Sequence, residues 1–99
     1  MEYHLSEHAQ QRAQRRAIRP ECLAPILCNF DIDFDIGGGC RLLRLSRSAA
    51  REVANNLGMP SQAKRFSAIA IIENEVTGQI VTVMHDRGTT EGRRYRRMH

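Results

Sequence analysis

The sequence predicts an α+β domain, with N-terminal helices packed on one face of a mainly antiparallel four-stranded sheet. Three observations predict it. Two helix-type segments open the chain. The stretch "FDIDFDI" (30–36) then alternates apolar and acidic residues with a period of two, the pattern of a half-buried strand. Further strand patterns flank one more helical stretch, so the order is helix, helix, strand, strand, helix, strand, strand. Ninety-nine residues suffice for one such domain, placed at residues 1–87, with 88–99 as a basic tail.

Each element has its own reason. Ser6 is a good N-cap and Glu7 meets the helix dipole, so a helix is expected over about residues 7–18. Its apolar positions are Ala9, Ala13, Ala17 and Ile18. Pro20 suits the first position of a second short helix, "PECLAPILCNF", with Cys22, Leu23, Ile26 and Leu27 inward. Pro25 inside that stretch opposes it. "GGG" (37–39) is a turn, and "CRLLRLS" returns as a second strand. "RSAAREVANNLG" has helical composition, with Gly58 as its stop and Met59-Pro60 as a break. "FSAIAIIE" (66–73) is apolar on both faces, which suits a central strand. "NEVTG" turns the chain into its partner, "QIVTVMHD" (79–86). The tail "RGTTEGRRYRRMH" has no periodicity, and its composition is expected to stay flexible until it meets a partner.

Composition narrows the function classes. No run approaches the ~18 apolar residues of a membrane span, and no signal peptide is visible. The expectation is a soluble, cytoplasmic protein without a membrane partner. The formal charge is +4, and all but one of the 15 basic residues are arginine. Arginine's planar fork suits phosphate contact, which leans toward nucleic acid. Cys22, Cys28 and Cys40 are odd in number and form no C-x-x-C pair, so they read as small hydrophobes or thiols. His4 and His8 flank Glu7 without making H-E-x-x-H, and no metal or other cofactor is expected.

The most informative stretch is "SEHAQQRAQRRAI" (6–18). His8, Arg12 and Arg16 stand four apart, and such positions drift only about 40° per step around a helix, so they form one stripe. Arg15 and Arg19 add to it. Like charges at this spacing cost roughly 0.2–0.5 kcal/mol per pair, so something acidic should compensate them. Asp31, Asp33 and Asp35 could do so from within, by pairing with arginines that lie over apolar surface. A phosphate backbone could do so from outside. A histidine beside two arginines is also what metal-free RNA cleavage needs: a proton carrier and cations for charge developing on phosphorus.

"EHAQQRAQRRAI" resembles the signature helix of the small bacterial family known as domain of unknown function 4258. His8, Ala9, Arg12, Arg16 and Ile18 match that signature, with Ala17 in place of its usual glycine. "GQIVTVMHDRG" is similar to the family's final strand at Gly78, Val81, Thr82, Val83, His85 and Arg87. The family looks related to the BrnT and RelE-like toxins, whose fold, N-terminal helices on a curved antiparallel sheet, has the predicted element order; the resemblance implies that the sheet here is curved too. The resemblance implies a toxin-like, metal-independent endoribonuclease, with RNA as substrate and an antitoxin protein as partner; a homodimer is left open. His8 or His85 would move protons, and Arg12 and Arg16 would steady the phosphorane. Arg15, Arg87, Arg93, Arg94, Arg96 and Arg97 would bind the nucleic acid backbone, and Tyr95 would stack on a base. One departure stands out: the helix within residues 41–65 lies where a compact toxin often has only strands. Two other classes fit the same residues. One is a nucleic-acid-binding module without catalysis. The other is an interaction protein whose basic stripe meets an acidic protein.

Overall fold

The fold was obtained as a computed structural model that describes residues 4–16 and 18–85. Among the described residues it is α+β, with four α-helices and a five-stranded mixed sheet. In chain order the elements are β1 (His4–Leu5), α1 (Glu7–Arg15), α2 (Leu23–Asn29), β2 (Ile32–Gly37), β3 (Cys40–Arg44), α3 (Arg47–Asn56), α4 (Ala63–Ser67), β4 (Ile69–Asn74) and β5 (Gln79–His85). The spatial order of the strands is β1-β5-β4-β3-β2. Three of the pairings are antiparallel, while β1 lies parallel to β5 through His4↔Gln79 and Leu5↔Ile80.

Two differences from the sequence reading have simple causes. The fifth strand, β1, is two residues long and too short to show any period; it is held by the backbone bond from Ser6 N–H to Ile80 O at 2.8 Å. The strand expected at 66–73 begins only at Ile69, because residues 63–67 form α4 and Phe66 is buried from a helix. Pro60 opens a 3-10 turn (Pro60–Gln62) that leads into α4, a start signal that the apolar run behind it concealed. Pro25 is accommodated because it is the third residue of α2, where the backbone N–H has no partner within the helix. The tail 88–99 lies outside the described residues, as do Ala17 and Arg87.

Both long helices are capped by serine. The Ser6 hydroxyl accepts from Ala9 N–H and donates to Val81 O, which ties the start of α1 to β5. The Ser46 hydroxyl accepts from Ala49 N–H at the start of α3 and donates to Asp31 Oδ2 at 2.6 Å. Asp31 Oδ1 also accepts from Ser46 N–H at 2.8 Å.

All the helices serve one face of the sheet. Ala9 and Ala13 of α1, Leu23, Ile26 and Leu27 of α2, Ala50, Val53 and Ala54 of α3, and Phe66 of α4 share a core with Leu43, Ile69, Ile71, Ile80 and Val83. The opposite face carries a smaller cluster of Leu42, Ala70, Ile72 and Met84, edged by Phe34, Ile36, Cys40 and Val81. Phe34 and Ile36 of "FDIDFDI" belong to this second face, while Phe30 packs against the main core. Cys22 packs against the main core and Cys40 against the smaller cluster. Among the described residues no helix is long and apolar enough to cross a membrane.

The Asp31–Ser46 contact gives a pH prediction. Hydrogen bonds from the Ser46 hydroxyl, and then from its backbone N–H, hold the Asp31 carboxyl below the ordinary aspartate value. A lowered folded value means stability that is complete above the unfolded value and lost as pH falls through the folded one. Asp31→Asn should therefore cost about 1 kcal/mol at pH 7, below the roughly 1.5–3 kcal/mol of a hydrogen bond to a buried charge because the group is exposed and screened by solvent. In urea melts the gap between parent and variant should narrow below about pH 4. A gap that stays constant down to pH 2.5 would remove the carboxylate from the account.

Candidate nucleic-acid interface

Ala9 and Ala13 are buried and mark the side of α1 that faces the sheet. Arg12 and Arg16 lie half-buried along its flank, and His8 and Arg15 are exposed beyond them. The stripe expected from spacing is therefore a real flank of α1. Arg12 and Arg15 also stand in its last turn, where cations complement the helix dipole.

The internal compensation expected from the strand aspartates does not occur. Asp31 is taken up by Ser46. Asp33 pairs with Arg41 at 2.9 Å, and the same guanidinium holds Glu73 at 2.9 Å. This pairing, led by the Glu73 hydrogen bond, raises the Arg41 pKa further. Asp35 accepts from Gly37 N–H within its own turn. The cause is strand order. α1 packs on β5, whereas β2 is the far edge of the sheet, three strand spacings or roughly 14 Å away. Among the described residues Arg12, Arg15 and Arg16 form no ion pair.

His85 sits at the end of β5, under the C-terminal end of α1. Its Nε2 lies 2.8 Å from the Arg16 carbonyl oxygen. A carbonyl only accepts, so Nε2 carries the proton and donates. Nδ1 is buried and has no hydrogen-bond partner among the described residues. In this arrangement both nitrogens face inward, and the ring ties the end of α1 to the sheet. His8 is in the first turn of α1, eight residues before Arg16 and so roughly 12 Å away along the axis. The fold thus brings His85 to Arg16 and leaves His8 at the other end of the helix, where the two rings do not converge on one phosphate.

Thr82 lies opposite Ile72, on the face away from the helices. Arg87, Arg93, Arg94, Tyr95, Arg96 and Arg97 lie outside the described residues. The triple glycine is a hairpin turn, with positive φ at all three positions and Gly39 O accepting from Glu75 N–H. Among the described residues no three His, Cys, Asp or Glu side chains converge in a way that could hold a metal ion. One apolar groove of about 340 Å³ lies between α2 and α3, lined by Ala24, Pro25, Cys28, Val53 and Leu57 and edged by Asn29 and Asn56. It holds none of the candidate catalytic or nucleic-acid-binding residues read from the sequence.

Comparison with family models, curated proteins and solved structures finds no match to this chain.

Proposed function

We propose that the protein binds nucleic acid, RNA in the first instance, through the cationic flank of α1. One observation carries the reading: Arg12 and Arg15 of α1 and Arg16 at its C-cap have no acidic partner among the described residues, while the strand aspartates are engaged elsewhere. Like charges at this spacing destabilise the helix slightly, and a phosphate backbone removes that cost by replacing counterions. Binding of this kind reads charge and spacing rather than base identity.

A catalytic version of the same surface is the second reading. It is favoured by His8, exposed one turn from Arg12 on the same flank, and it is the activity implied by the likeness to BrnT and RelE-like toxins. The separation of His8 from His85 supports binding over a two-histidine mechanism.

The test is to incubate the full chain with labelled RNA in EDTA and follow both anisotropy and chain length, beside His8→Ala. Binding should weaken at least tenfold between 50 and 200 mM salt, as expected for several phosphate contacts, and the RNA should stay intact. Cleavage by the parent but not by His8→Ala would establish the ribonuclease instead. Absence of binding at 50 mM salt would remove both readings.

A further inference from the structure

The chain path sorts charge to the two ends of the sheet. The pairs Ile32↔Arg44 and Ile69↔His85 mark one end. There α1 finishes on His85, α3 starts at Ser46, and the last turn of α4 meets β3 through the bond from Arg44 Nη2 to Ser67 O at 3.1 Å. The two hairpin turns mark the other end, joined by the Glu75 N–H to Gly39 O bond. Asp35, Glu73 and Glu75 belong to the hairpin end, where Arg41, in register with Asp35 and Glu73, is taken up by Asp33 and Glu73. Arg16, Arg19, Arg47, Lys64 and Arg65 belong to the first end, and all but the half-buried Arg16 are exposed; Glu21, two residues after Arg19, is an exposed acid beside them. The ends are roughly 17–20 Å apart, the length of five or six strand residues.

Helix stability does not account for all of these cations. Arg47 is the first residue of α3, where the helix dipole disfavours positive charge. Asp31, the strand acid at this end, is already bonded to Ser46. The elements that carry the cations sit at β5, β4 and β3, which are neighbours. They cover a width of about 10 Å, enough to meet several phosphates of a backbone charged every ~3.4 Å per strand.

We propose that this end of the sheet, with Arg47 of α3 and Lys64 and Arg65 of α4, extends the α1 flank into one surface that tracks a nucleic-acid backbone. The proposal rests on the nucleic-acid reading above. It places half of the contact on residues far from the α1 motif in sequence.

The test compares RNA affinity of the full chain with that of Lys64→Ala/Arg65→Ala and of Val76→Glu/Gln79→Glu. The second variant makes the same change in net charge at the exposed turn of the hairpin end. Lys64→Ala/Arg65→Ala should bind at least fivefold more weakly at 100 mM salt, with a salt slope lower by about 1.5. Val76→Glu/Gln79→Glu should change affinity by less than twofold. Equal losses in the two variants would show that net charge alone is read and would overturn the proposal. Unchanged binding by Lys64→Ala/Arg65→Ala, alongside a loss on removing the α1 arginines, would overturn it and leave the α1 reading standing. Matching melting temperatures for the variants would confirm that folding is not the variable.

Discussion

Arg12→Ala/Arg16→Ala should bind RNA at least tenfold more weakly than the parent at 100 mM salt, without loss of thermal stability. Two phosphate contacts account for the size of the effect. Each releases a counterion, and the slope of log K against log salt should fall by about 1.4 on single strands and about 1.8 on a duplex. Stability should hold because neither guanidinium is ion-paired among the described residues. Truncation also removes a like-charge pair worth roughly 0.2–0.5 kcal/mol, which offsets the packing lost from the half-buried stems. Lysine at the same two positions separates charge from geometry. Affinity kept by Arg12→Lys/Arg16→Lys means point charges suffice, and affinity lost means the planar fork is used. An unchanged salt slope in the alanine variant would take α1 out of the interface.

How much of this was legible in the sequence depends on the range of the signal. Ser6 was read as a cap and caps α1, because capping is settled within three residues; Ser46, which the sequence reading passed over, caps α3 in the same way. The alternation in "FDIDFDI" correctly gave a strand, since period two is a local property. It could not say which face of the sheet receives Phe34 and Ile36. The structure turns them to the face without helices. β1 escaped because two residues have no period, and α4 because Phe66 and Ile69 read as one apolar run.

The α1 stripe was visible for the same local reason, being a four-residue spacing. Whether it was compensated was not visible. That depends on strand order, and β2 lies at the edge far from α1. Arg41 takes the acids instead, because it lies on β3 beside β2 and directly opposite Glu73 on β4. The contact from His85 to the Arg16 carbonyl joins residues 69 apart in sequence, which no local pattern encodes.

Ile71→Ala should cost about 3 kcal/mol, more than the same change at its neighbour Ile72. Ile71 is fully buried on β4, between Leu43 on β3 and Val83 on β5 and beneath the helices. Removing its branched side chain loses transfer energy and leaves a cavity that the packed layer cannot close, within a range of about 2–5 kcal/mol. Ile72 points to the other face, where its buried partners among the described residues are Leu42, Ala70 and Met84. A smaller cluster relaxes more easily, so Ile72→Ala should fall near 2 kcal/mol. With a urea slope of about 1 kcal/mol per molar, the midpoints should drop by roughly 3 M and 2 M. Against a total stability of about 5–10 kcal/mol, the first variant is left close to the edge of folding. The comparison bears on function as well as stability. α1 reaches the sheet through Ala9 and Ala13, so a collapse around Ile71 should loosen the seat of Arg12 and Arg16 and weaken RNA binding. Ile72→Ala, on the face without helices, should leave affinity unchanged. Equal losses of affinity in the two variants would mean that the arginines do not depend on the helix-covered core for their placement.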